Sequence, residues 1–223
     1  MQLVNHSVRL GAAAVLAALL ASYVSTANIQ ANEVQDISKI NSAIRIDAND
    51  HVGDVSSVNG SIRINKGAKT SSVETVNGGI DIKDGAMIEA AGTVNGGISV
   101  GENVTIRGSL ETVNGGISVE NGSEIQADII TVNGTIRLRN VHVRENVKTA
   151  NGDIEIRDGS VVDGDVIIKA SSSWLNRILS MNSKTSDLII DETSTVKGDI
   201  HLYKEVNIRI KDGAQVGNIV EHY

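Results

Sequence analysis

The chain has 223 residues and a formal net charge of −7, with no Cys, no Pro, no Phe, one Trp and three Tyr. Without cysteine there are no disulfides, thiolate metal sites or cysteine nucleophiles, and an acidic chain lacking aromatic platforms argues against nucleic-acid binding. Ile, Val and Leu must supply the core in place of aromatics, as a narrow bore of repeated cross-section demands.

Residues 1–27 read as an export signal. Arg9 provides the positive start, Leu10 to Val24 the apolar stretch, and Ser25-Thr26-Ala27 a small-x-small site with cleavage after Ala27. The apolar stretch is short beside the roughly 20 residues of a membrane span. No stable span is therefore expected after cleavage, and with no Cys following there is no lipid anchor. Residues 28–39 are expected to cap the repeats that begin at Ile40. Val34, Ile37 and Ile40 are spaced i, i+3, i+6, which suits a helical turn over an open end.

From Ile40 to residue 223 the chain reads as one domain. Ile40–Ile46 is a degenerate first repeat. A phrase then recurs as Val58-Asn59-Gly60, Val76-Asn77-Gly78, Val94-Asn95-Gly96, Val113-Asn114-Gly115, Val132-Asn133-Gly134 and Ala150-Asn151-Gly152, in steps of 18, 18, 19, 19 and 18 residues. Apolar pairs follow at offsets +4 and +6: Ile62/Ile64, Ile80/Ile82, Ile98/Val100, Ile117/Val119, Ile136/Leu138 and Ile154/Ile156. Further apolar positions at +10, +12 and +16, such as Val104, Ile106 and Leu110, complete the coil. Polar residues between them give a local period of two, the mark of a strand with one buried face. A fixed period near 20 residues built from such runs predicts an all-β parallel solenoid of 18–19 residues per coil and about nine coils. Three strands per coil would turn at Asn-Gly and at the Asp-Gly or Glu-Asn before +10, where positive φ is tolerated.

The eighth coil is interrupted. Ile156–Ile168 aligns without a gap on Ile190–Leu202, so residues 170–187 are an insert between coils. Trp174, Leu175, Ile178 and Leu179 form one face of a short amphipathic helix within it and are a candidate interaction patch. Its expected roles are to fold back over the wall or end of the stack, to dock on a partner or second copy, or to touch a membrane. Leu202 opens the ninth coil, in which Ile208, Ile210, Ala214 and Val216 repeat the pattern with two extra residues.

The column Asn41, Asn59, Asn77, Asn95, Asn114, Asn133 and Asn151 is expected to stack as a structural amide ladder. A functional alternative starts from Thr75, Thr93, Thr112, Thr131 and Thr149. If Thr and Asn flank an inward Val or Ala, they form a flat outward array for a ligand or an ice lattice. The Gly-rich phrases match neither a phosphate loop nor the calcium-binding nonapeptide. Asp163 with Asp165, and Asp191 with Glu192, read as solvated corner residues, with contact to a cation as the alternative, and the scattered histidines assemble no catalytic group. Arg63 with Asp81, and Arg137 with Glu155, read as ordinary cross-strand pairs. No catalytic residue, metal site or cofactor is expected.

The recurring Thr-Val-Asn-Gly-x-Ile-x-apolar phrase over Ile40 to Ile168 resembles the bacterial adhesin family of β-strand-repeat proteins, mostly exported and without assigned chemistry. The later Gly159-Ser-Val-Val-Asp-Gly-Asp-Val and Ser194-Thr-Val-Lys-Gly-Asp-Ile phrases look like bactofilins, which are cytoplasmic polymer-forming β-helices. The resemblance implies a right-handed helix. The expected protein is thus an exported, non-enzymatic, adhesin-like structural solenoid of the periplasm or cell surface, whose partner is itself or an envelope component. The alternatives are a polymer-forming scaffold and a ligand- or ice-binding repeat surface.

Overall fold

A computed structural model of the chain describes residues 34–169 and 185–223. Every pairing between its strands is parallel, as stacked coils require. The first face of each coil carries the strand after the Asn-Gly phrase. These strands form a nine-stranded sheet, from Ile44–Ile46 through Ile98–Val100 and Ile136–Arg139 to Val206–Ile210. The second face holds short strands such as Thr105–Ile106, Glu124–Ile125 and His142–Val143. The third holds Ile37–Lys39, Val55–Asn59, Leu110–Asn114, Ile129–Asn133 and their successors up to Ile219–Glu221. The nine-residue strands Lys69–Asn77 and Met87–Asn95 cross the corner between the second and third faces, joining them into one sixteen-stranded sheet.

Register is kept coil by coil. On the first face Ile44, Ile62, Ile80, Ile98, Ile117, Ile136, Ile154, Leu188 and Ile208 are successive partners. The two-residue alternation drives this stacking, because a slip of one residue would turn the whole apolar set to solvent. The core is a bore of Ile, Val and Leu, with the +4 and +6 side chains at 2 % exposure or less. Val104, Ile106, Leu110, Ile125 and Ile129, from the other two faces, join the same cluster. The partner of Ile154 is Leu188, so the chain leaves the stack after Ile168 and rejoins it at the strand Ser186–Ile190. Ser186 and Asp187, expected from the repeat alignment to end the insert, therefore belong to the solenoid. Residues 170–184 of the insert, including Trp174, Leu175, Ile178 and Leu179, lie outside the described residues, as does Ala27.

Three sequence expectations need correction. Ile37–Lys39 is a strand paired with Val55–Ser57, not a helical turn, and Ile40 is 68 % exposed. The neighbouring coil offers Ile37 an open edge, and its amide takes the Asp54 carbonyl at 2.8 Å. The valine of the repeat points outward, whereas Thr75, Thr93, Thr112, Thr131 and Thr149 point into the bore at 1–3 % exposure. The Asn-Gly corner does not use positive φ: of its six glycines only Gly134 is positive, near the extended limit at 158°. Left-handed residues gather instead at the corner before +10, where Asn49, Gly67, Gly85, Asn103, Gly122 and Asp158 have φ between 54° and 73°.

Candidate functional site

The Asn-Gly corner is the most regular side-chain array of the molecule. Asn59 Nδ2 donates to Asn41 Oδ1 at 2.9 Å, and the same bond recurs from Asn77, Asn95, Asn114, Asn133 and Asn151 at 2.8–3.0 Å. From Asn59 to Asn133 each amide thus donates to the coil below and accepts from the coil above, on the exposed flank of the corner. The glycine after each Asn admits this closeness. A Cβ on Gly96 would lie 2.0 Å from the Gly78 carbonyl oxygen, and one on Gly115 would lie 2.0 Å from that of Gly96.

Beneath the amides runs a buried hydroxyl column. Thr75, Thr93, Thr112 and Thr131 donate through Oγ1 to the carbonyls of Gly60, Gly78, Gly96 and Gly115 at 2.8–3.0 Å. Each bond satisfies a buried hydroxyl that would otherwise carry a desolvation cost. The Thr149 hydroxyl, last in the column, is buried without a hydrogen-bond partner. With Thr turned inward, the flat outward Thr/Asn array has no basis. What faces solvent beside the amides is the valine stripe.

The corner between the second and third faces holds another ladder, which sequence reasoning missed. Here the backbone amide donates to the carboxylate or amide oxygen of the coil below in two runs, from Asp36 to Ser72 and from Asp128 to Asn218, interrupted at Ala90 and Ser109. Asp54 N bonds Asp36 Oδ1 at 2.8 Å, Asn146 N bonds Asp128 Oδ1 at 3.0 Å, and Asp165 N bonds Asn146 Oδ1 at 2.9 Å. Asp199 N then bonds Asp165 Oδ1 and Asn218 N bonds Asp199 Oδ1, both at 2.9 Å. The available signal was the Gly-Asp or Gly-Asn dipeptide at this corner, in Gly53-Asp54, Gly164-Asp165, Gly198-Asp199 and Gly217-Asn218. Asp128 also takes Lys148 Nζ at 2.5 Å. Burial pushes the Asp128 carboxyl up, but the bonds from Lys148 and Asn146 outweigh it and hold the group below its ordinary range.

The remaining charged groups are mostly spoken for by neighbouring coils. Arg63 pairs with Asp81 at 3.0 Å, Arg137 with Glu155 at 3.4 Å, and Arg144 with Glu124 at 2.6 Å. On the second face Asp163 lies 2.8 Å from both His142 Nε2 and Lys197 Nζ. The Lys197 contact first, then His142, keeps the Asp163 carboxyl below its usual range against the effect of burial. Asp191 is occupied by Thr193 and by Ser194 Oγ at 2.7 Å. Burial raises its carboxyl, and bonds from Ser194, Asp158 and Thr193 lower it further than that. Near the C-terminal end His201 Nδ1 and His222 Nε2 stand 3.1 Å apart, and Tyr203 stacks on His222 with centroids at 4.3 Å.

The arrangement does structural chemistry: it passes hydrogen bonds and charge pairs from coil to coil. Among the described residues no group of three or more His, Asp and Glu is placed to hold a metal ion, and no helix is long and apolar enough to cross a membrane. No family model, no curated protein and no solved structure matches the chain.

Proposed function

We propose that the chain is an exported, non-catalytic structural protein of the cell envelope, adhesin-like in that it presents a stiff repetitive surface. The observation that carries this reading is the exposed Asn column, linked amide to amide over seven positions from Asn41 to Asn151. Its most regular surface groups are committed to holding coils together and not to a cleft. Support for export comes from the leader-like stretch ending at Ala27. The direct test is fractionation of the producing cell with N-terminal sequencing. The reading expects a chain beginning at Asn28 outside the cytoplasm. A chain retaining Met1 in the cytoplasmic fraction would overturn it.

A second reading, a polymer-forming scaffold, is favoured by the end coil. Among the described residues Val206–Ile210, Gln215–Val216 and Ile219–Glu221 each pair on one side only, and Val206, Ile208 and Ile210 are only partly buried. Such edges are templates for another chain. Electron microscopy of the mature protein decides between the two, since this reading alone expects filaments one solenoid wide.

A further inference from the structure

In an Asn-Gly pair the side-chain amide is easily lost, because the glycine nitrogen can close on the asparagine Cγ with no Cβ in the way. The chain holds this pair seven times, six in the repeated phrase and once more at Asn121-Gly122. Ring closure needs a glycine nitrogen not committed to a hydrogen bond, and an amide free to turn toward it. The stack withdraws the first freedom at most of the pairs. Gly60, Gly78, Gly96 and Gly115 donate to the carbonyls of Asn77, Asn95, Asn114 and Asn133 at 2.9–3.1 Å, and Gly122 donates to that of Asn140 at 2.9 Å. Gly134 and Gly152 donate to nothing among the described residues. The second freedom separates these two. The Asn133 amide is held at both ends, donating to Asn114 and accepting from Asn151. Asn151 donates to Asn133 at 3.0 Å, but among the described residues nothing donates to its own Oδ1. Its backbone differs as well. Asn59, Asn77, Asn95, Asn114 and Asn133 each end a strand, whereas Asn151 lies in a bend beyond Val147–Thr149. The Thr149 hydroxyl lacks the glycine carbonyl that its predecessors use, so the corner has left its pattern at this level.

We propose that Asn151-Gly152 is a self-modification site, which deamidates ahead of the other six Asn-Gly pairs because each of those is held by one or both hydrogen-bond locks. The Gly152 nitrogen gives up its proton to solvent and attacks Asn151 Cγ. A bond forms between them, the Cγ–Nδ2 bond breaks, and Nδ2 takes a proton and leaves as ammonia. Water then opens the cyclic imide. Opening at the former side-chain carbonyl leaves Asp at position 151, and opening at the backbone carbonyl leaves isoaspartate, with the main chain routed through the side chain. Water is the only co-reactant, and nothing is oxidised or reduced. Asn151 is exposed, so water reaches it. The carboxylate formed has no N–H to donate, so the uppermost bond of the ladder, to Asn133 Oδ1, is lost. The new charge arises one residue from Ala150, whose carbonyl takes Lys204 Nζ at 2.6 Å. A cation is thus already placed beside it.

Peptide mapping by mass spectrometry tests this on the purified folded chain. The chain is aged at mildly alkaline pH well below its melting temperature, with an unaged sample as background. Trypsin releases residues 149–157, in which Asn151 is the only asparagine. The amide-to-acid mass shift should build up in that peptide, as separable aspartate and isoaspartate forms, several times faster than at any other Asn-Gly pair. Asn151 follows Ala where the other asparagines of the phrase follow Val, so sequence alone gives the pairs different rates. Each folded rate is therefore divided by the rate of the same pair in denaturant, where no lock operates. That ratio should be highest at Asn151 and lowest from Asn59 to Asn114, where both locks are closed. A folded chain in which residues 149–157 stay unmodified overturns the proposal. So does a ratio at Asn121, Asn133 or any other pair that equals or exceeds the one at Asn151, since the locks would then not select the site.

Discussion

Within one repeat, four neighbouring residues have four different duties, and only some were legible in advance. The Asn amide links coils on the exposed flank, so Asn95→Ala should cost about 0.5–1.5 kcal/mol, the net worth of an ordinary hydrogen bond. Thr93→Ala removes a buried bond to the Gly78 carbonyl, and about 1–3 kcal/mol is expected, the larger loss of the two. Parallel thermal melts check the order, and a greater loss for Asn95→Ala would contradict it. Spacing could not separate Thr from Val, because both favour strands and only the local carbonyl acceptor turns the Thr inward. Glycine divides in the same way. Gly96 is held by closeness, with 2.0 Å to the Gly78 oxygen, whereas Gly85 has φ +67° and open space around it. Gly96→Ala should cost about 2–3 kcal/mol through forced separation of coils, and Gly85→Ala about 1 kcal/mol through left-handed strain. Denaturant midpoints of the two variants measure the difference.

The strands were legible because a single alternation repeats at fixed offsets, and each Ile at +4 and +6 had only one side on which to be buried. The corners were less so. The Asp and Asn ladder between the second and third faces depends on side-chain oxygens accepting from the backbone of the next coil, a relation across a whole coil that no local window displays. The i, i+3, i+6 spacing of Val34, Ile37 and Ile40 misled for a related reason: the partner strand Val55–Asn59 decides the outcome, and it lies a coil away. The corner ladder has a testable pH signature. The ionised Asp128 is the bonded form, so its folded-state pKa lies below that of the unfolded chain. Its contribution is complete above the ordinary Asp value of about 3.9 and is lost as pH falls through the folded value. Asp128→Asn should therefore melt below the wild type at pH 7, with the gap narrowing at pH below about 3.9. A gap independent of pH would show that the charge has no part in the ladder.

As a whole, the molecule is a stack in which no coil has a core of its own. Each Ile on the first face is packed between the same residue one coil below and one coil above, and each backbone takes its hydrogen bonds from those neighbours. Such a stack behaves as a chain of interfaces, so damage at one level is felt at the levels around it. This was legible from the period alone. The position of Leu188 over Ile154 was also legible, because Ile190–Leu202 repeats Ile156–Ile168 in phase. The central claim is that the described coils form one cooperative body. Ile117 is 1 % exposed at mid-stack and tests the claim most directly. Ile117→Asp places a charge in the bore where no partner is available. Denaturant unfolding followed by far-UV circular dichroism should show the single transition of the wild type abolished, or shifted so far that little folded protein remains in water. A variant with the wild-type midpoint and slope would contradict the inward placement of this column and the cooperative stack built on it.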